Sequence, residues 1–152
     1  MSMEILRISS RTILGLALFW IGITHLGSSR IEFQAQVPVW LPLDPDFVVI
    51  ASGILEIILG VLLLVAHRAL PIVGIATACF LVLIFPGNID QYVQGRDAFG
   101  LDSDEARLGR LFFQPLLIGL SLWSTSSFRF LRERFEGKPP SHESMPKLFK
   151  SS

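Results

Sequence analysis

The sequence predicts an all-α integral membrane protein: a four-helix bundle with an interfacial first outer loop and a flexible C-terminal tail. Composition is the first reason. The 152 residues are 51% hydrophobic, with a mean hydropathy of +0.55, against roughly 45–50% apolar, glycine included, in soluble domains. Length is the second. The stretches 12–27, 47–66, 69–85 and 108–128 are apolar enough to cross a hydrocarbon core of ~30 Å at ~1.5 Å per residue. The third is the placing of basic residues, which alternates between connections. These boundaries give a transmembrane domain over 1–135 and a flexible cytoplasmic tail over 136–152.

The first span, "TILGLALFWIGITHLG", is short and follows Arg7 and Arg11, as a signal peptide would. Three further spans follow it, and bulky Trp20 and His25 stand where a small-residue cleavage site would be needed, so a membrane span is the better reading. The loop after it, "SSRIEFQAQVPVWLPLDPD", interleaves Ile31, Phe33, Val37, Trp40 and Leu41 with Pro38, Pro42 and Pro45. Prolines exclude a long regular helix there. A short interfacial segment anchored by Trp40 fits instead, with Asp46 capping the next helix.

The second span carries Glu56 in an otherwise uncharged run. Its fourteen Phe, Val, Ile and Leu residues contribute roughly −4 to −8 kcal/mol to insertion, against about +3 for a central acid. It inserts despite the glutamate, and insertion gives no reason to have it. In the tight turn "HRALP", Pro71 falls in a first helical turn, where a missing N–H does no harm. The third span is expected to stop at "FPGNID", because Pro86 and Gly87 disrupt regular helix. Cys79, the one cysteine, reads as a small packed hydrophobe without a disulfide or zinc partner. The fourth helix starts near Asp104, from the cap pattern of Asp102 or Ser103 followed by Glu105, and Pro115 should kink it.

Nine Lys and Arg residues lie on the side of the termini and of the turn at Arg68, against Arg30, Arg96, Arg107 and Arg110 on the other. The positive-inside rule then puts both termini in the cytoplasm, and the expected location is a bacterial-type inner membrane. With that topology, His25, Glu56, Asn88, Arg110 and Gln114 all fall in the outer half. His67 lies at the inner boundary, and His142 in the tail reads as surface. Ser52, Glu56 and Gly60 form one stripe, Gly15, Gly22 and His25 another, and Gly74 with Ala78 a third. Small residues allow close helix approach, so these stripes should point inward, and Arg110 is long enough to reach toward Glu56.

Several chemistries lack their residues. His25 and His67 lie at opposite faces, which excludes a bis-histidine haem. No HExxH, nucleotide-binding glycine loop or Gly-x-Ser-x-Gly occurs, and no zinc or other metal site is expected. Only the tail is basic, so nucleic acid is not an expected partner. Two alternatives stay open for Glu56: an ion pair that fixes helix register, or the floor of a small-molecule or proton-handling site.

In order along the chain, "GITHL", "VPVWLP", "SGILEIILGVLLL", "FPGNID" and "RLFFQPLLI" resemble the DoxX-like family of small membrane proteins, over roughly residues 10 to 125. The resemblance falls on His25, Glu56, Asn88, Arg110 and Gln114. It departs at Gly87, where the family usually has alanine. It implies a four-helix membrane bundle associated with redox systems: quinone-linked sulfur oxidation, oxidative-stress complexes or maturation of redox enzymes. The thiol-disulfide branch does not extend here, because Cys79 has no partner.

The resulting expectation is a non-catalytic or weakly catalytic accessory subunit of a redox or stress-response system. Its outer-half polar pocket would hold a quinone-like or lipid-like molecule. Glu56 and Arg110 would form the floor and His25, Asn88 and Gln114 the mouth; in any catalysis Glu56 and His25 are the candidate acid and base. The alternative is a structural or chaperone-like partner of a redox enzyme or another membrane protein, with a homo-oligomer left open.

Overall fold

The computed structural model describes residues 2–66, 69–100 and 103–137. The tail beyond them, His67, Arg68, Asp102 and His142 lie outside the described residues. Six helices follow in order: α1 Met3–Leu26, α2 Arg30–Gln34, α3 Pro45–Val65, α4 Leu70–Val93, α5 Asp104–Ser124 and α6 Ser127–Phe135. There is no strand among the described residues.

The caps explain most boundaries. Helix α1 begins well before residue 12, where the Ser2 hydroxyl accepts from the Ile5 amide at 3.4 Å. Helix α3 is capped by Asp44, which accepts from the Phe47 amide at 2.9 Å, and not by Asp46. The reason is Pro45: its fixed φ and missing N–H suit the first helical position, so the cap must be the residue before it. Pro71 lies in the first turn of α4, and Ser103 caps α5 by accepting from the Ala106 amide at 3.2 Å.

Two expectations about helix ends are corrected. Helix α4 does not stop at Pro86; it continues to Val93. Proline removes only the hydrogen bond to the Val82 carbonyl, a loss that membrane helices tolerate. Gly87 then serves as a docking point, because any Cβ there would collide with the Gln36 carbonyl of the preceding loop. The last apolar stretch, 108–128, is also not one straight helix. Helix α5 ends at Ser124 and α6 departs at 75°. In the run Ser124-Thr125-Ser126-Ser127 the Thr125 hydroxyl bonds back to the Ser121 carbonyl at 2.6 Å, and Ser126 takes a left-handed conformation with φ 61°. Short polar side chains that capture nearby carbonyls compete with continued helix in this way.

Helix α1 packs chiefly against α3 and α4 against α5, and α1–α5 and α3–α4 contacts close the circuit. Between them lie Leu14, Leu18, Leu59, Leu63, Val73 and Phe80. The outward faces are equally apolar: Ile13, Trp20, Leu83, Phe112 and Leu116 are all more than half exposed. In water such surface would be unusual. Helices α1, α3 and α4 are long and apolar enough to cross a membrane, and α5 with α6 would make a fourth, bent span. By length and composition these helices are candidate membrane spans. Cys79, expected to be packed, is exposed on α4, which costs nothing where the surroundings are hydrocarbon.

Along the α1–α3 seam backbone lies directly against backbone. A Cβ on Gly22 would stand 2.6 Å from the Gly53 carbonyl, and one on Gly60 would stand 2.7 Å from the Gly15 carbonyl. Gly53 therefore replaces Ser52 on the contact stripe; Ser52 is half-buried and bonds back to the Val49 carbonyl at 2.9 Å.

Candidate functional site

The α1–α3 seam places the polar centre. Because Gly22 and Gly53 let the two backbones touch, His25 at the end of α1 and Glu56, one turn beyond Gly53, are forced together. His25 Nδ1 lies 3.0 Å from Glu56 Oε2, and the two residues are only 6% and 5% exposed. The same nitrogen lies 2.9 Å from the Ile21 carbonyl. A carbonyl can only accept, so Nδ1 carries the hydrogen and directs it there. The carboxylate oxygen is close to the ring nitrogen yet off the line of its N–H bond. Among the described residues Glu56 Oε2 has no hydrogen-bond partner.

Aromatic side chains roof this pair. The Phe33 ring stacks on His25 with centroids 3.4 Å apart and planes 17° apart. Phe99 tilts against Phe33 at 4.5 Å, and the Arg110 guanidinium sits over Phe99, 5.7 Å from the ring centre. Phe99 holds a left-handed backbone, φ 58°, a costly conformation for a bulky residue. Its amide donates to Glu32 Oε2 at 3.1 Å, which helps fix it.

The expected reach of Arg110 to Glu56 is not made. Among the described residues no hydrogen bond or ion pair joins the two, and Phe99 stands beside the guanidinium in place of the carboxylate. Asn88 and Gln114 form a separate buried pair between α4 and α5. Asn88 Nδ2 donates to Gln114 Oε1 at 3.3 Å, and Gln114 Nε2 donates to the Leu81 carbonyl at 2.8 Å. The five predicted residues thus fall into two pairs, His25–Glu56 and Asn88–Gln114, with Arg110 one turn from Gln114 along α5. Among the described residues no hydrogen bond joins the two pairs.

The end of the protein that carries these groups is tied down by the loops. Arg96 pairs with Asp90 and donates to the Val37 carbonyl at 3.2 Å. Gln91 donates to the Arg96 carbonyl at 3.2 Å, and Asp90 Oδ2 accepts from the Val39 amide at 3.4 Å. The continuation of α4 past Pro86 supplies Asp90 and Gln91, both buried. Arg30 on α2 forms a two-pronged pair with Asp46 at the start of α3. That hydrogen-bonded carboxylate holds the Arg30 guanidinium above its ordinary value. Arg107 pairs with Asp97 at 2.6 Å and Asp104 at 2.8 Å.

Phe33, Phe99, Arg96 and Gln91 were not read as site residues. Phe33 was visible only as one apolar residue in a loop. A single aromatic in a turn gives no signal for Phe99. Among the described residues no group of three or more His, Cys, Asp or Glu side chains is placed to hold a metal.

Neither a curated protein nor a solved structure matches this chain. A family model does match, over residues 14–126, a segment that holds both polar pairs, Arg110 and the aromatic roof. On that match the chain belongs to the family described as "Domain of unknown function (DUF8561)".

Proposed function

We propose that this is a membrane accessory subunit of a redox or stress-response system, in which the loop end of a four-helix bundle holds a quinone-like or lipid-like molecule. The DoxX-like motif order motivates the redox assignment. One observation carries the binding assignment: Glu56 Oε2 is buried beneath an aromatic roof with no hydrogen donor. A buried acceptor without a donor costs about 1–3 kcal/mol, more when charged. A ligand hydroxyl, such as that of a hydroquinone, would remove that cost. The ring would lie against Phe33 and Phe99, and a carbonyl or phenolic oxygen at its far side would accept from Arg110. Apolar walls with a few convergent polar groups are the usual form of such sites. The positive-inside count motivates an inner-membrane topology with both termini cytoplasmic and this site in the outer half.

The test is native mass spectrometry in mild detergent with a short-chain benzoquinol, comparing wild type with Glu56→Gln. The amide keeps the shape but presents a weaker, uncharged acceptor. Stoichiometric quinol on the wild type and at least about ten-fold less on the folded variant is the expected result. Equal occupancy of both would remove Glu56 from the site.

A second reading, a structural partner of another membrane protein, has one observation in its favour. His25 and Glu56 sit at the tightest contact of α1 with α3, where an interaction that fixes register would also be placed. On that reading Glu56→Gln unfolds the protein or dissociates a complex without any change in bound quinol.

A further inference from the structure

The opposite end of the molecule, where α1 begins and α6 turns away, carries two arginines that the loop-end site does not use. Arg11 lies on the α1 face that also presents Leu14, Leu18 and His25 to the interior, and it is 9% exposed. Among the described residues it has no hydrogen bond or ion pair, and its Nε is buried and unpartnered. Arg7 lies one turn earlier on the same face, half-buried. Its Nη1 donates to Ser126 Oγ at 3.4 Å and its guanidinium covers the Trp123 ring at 5.7 Å, while its Nε is again buried without a partner. Neither arginine has an ion pair with a described carboxylate.

A buried guanidinium with no counter-charge is costly, because the desolvation penalty is not returned by any attraction. Two of them, four residues apart on one helix face, lie about 5–6 Å apart at Cβ. Their planar forks match the paired oxygens of a phosphate group. The neighbouring helix supports the same chemistry. Helix α6 is turned 75° from α5. It leaves Phe128 53% and Phe135 88% exposed, alongside the charged Arg129, Arg132 and Arg134. That mixture is the composition of a helix lying at headgroup level.

We propose that Arg7 and Arg11, with Ser126 and Trp123, form a binding site for a phosphate-type oxyanion where α1 meets the α5–α6 bend. The chemistry is shared by an anionic phospholipid headgroup and by free phosphate. The experiment separates the two sources.

Thermal unfolding of the purified full-length protein in neutral detergent is followed while phosphatidylglycerol, phosphatidylcholine or inorganic phosphate is added, for wild type, R11M, R7Q and R132Q. Arg132 is the control, an exposed cation already paired with Glu136 at 2.6 Å. For wild type the midpoint rises with an anion and not with phosphatidylcholine. R11M fills the same volume without the charge; it unfolds at or above the wild-type midpoint when no anion is present and does not respond when one is added. R132Q responds like wild type. R7Q, at the less buried position, needs about ten-fold more anion for the same rise, and carries the test alone should R11M fail to fold. A response to phosphatidylglycerol alone assigns a lipid headgroup; a response to phosphate alone assigns the free ion. The proposal is overturned if wild type responds to neither anion, or if R11M and R7Q respond as strongly as R132Q.

Discussion

The loop end and the terminal end of this protein handle buried charge in different ways. At the loop end most charges are neutralised within the chain: Arg30 by Asp46, Arg96 by Asp90, Arg107 by Asp97 and Asp104. At the terminal end Arg7 meets a hydroxyl and an indole, and Arg11 has no hydrogen bond or ion pair among the described residues. The paired groups of the loop end staple loops to helices and leave nothing for a ligand to do. Glu56 Oε2 and the Arg110 guanidinium are the exceptions there, buried or half-buried with no hydrogen bond among the described residues. Chemistry from outside the chain therefore has entry points at both ends: an acceptor lacking a donor at one, donors lacking an acceptor at the other.

Four substitutions sharpen this contrast. The largest effect is expected at the seam that brings His25 to Glu56. Gly22→Ala places a Cβ against the backbone of Gly53 and Ile57, which cannot swing aside as a side chain would, so a loss of about 2–3 kcal/mol is expected. Gly109→Ala on α5 meets nothing within 4 Å and should be neutral or gain up to about 1 kcal/mol. Unfolding in detergent by far-ultraviolet circular dichroism measures both. Equal stability of the two variants would show that the seam is not close-packed.

An intermediate effect is expected at Gln114→Leu. It strands Asn88 Nδ2 and takes a donor from the Leu81 carbonyl, worth about 1–2 kcal/mol in a membrane interior. Because the Asn88–Gln114 pair is satisfied within the chain, the loss should appear as stability, with quinol occupancy changed less than by Glu56→Gln. A Gln114→Leu protein as stable as wild type but empty of quinol would move Gln114 into the ligand site. The smallest effect belongs to Asp46→Asn, which breaks a part-exposed pair. Exposed pairs contribute little and are screened by salt. Its difference from wild type should shrink further between low and high salt, and a large salt-independent loss would mean that α2 does more than cover the end of α3.

Much of this architecture was legible in the chain, and the reasons divide by distance along it. The apolar stretches, a cap at Asp102 or Ser103 and Pro71 in a first turn follow from local rules and were readable, although α1 starts earlier and α4 ends later than those stretches. The polar set was visible too, since charged and amide side chains in apolar helices are few, and His25, Glu56, Asn88 and Gln114 are all buried. What failed was long-range. Pro86-Gly87 reads locally as a stop, and only the Gln36 backbone lying against Gly87 shows why the helix continues. The partner of Glu56 was expected to be Arg110 on grounds of reach. Spacing alone did not reveal that Gly53 would draw His25 close, or that Phe99 would sit beside the guanidinium. Arg7 and Arg11 were counted for topology, and nothing in a count shows that a side chain points inward.

The α1–α3 seam also limits how the protein can move. Gly15 meets Gly60, Gly22 meets Gly53 and Arg30 meets Asp46, three contacts in one antiparallel register. Sliding either helix by a single turn, about 5.4 Å, would drive side chains into both glycine contacts at once and separate the ion pair. The glycine contacts therefore oppose a one-turn slide, whereas the α1–α3 pair is joined less closely to the α4–α5 pair. A molecule entering beside Glu56 would have to wedge those pairs apart like the covers of a book, with the hydrogen bonds from Arg96 to the Val37 carbonyl and from the Val39 amide to Asp90 as the clasp that resists it.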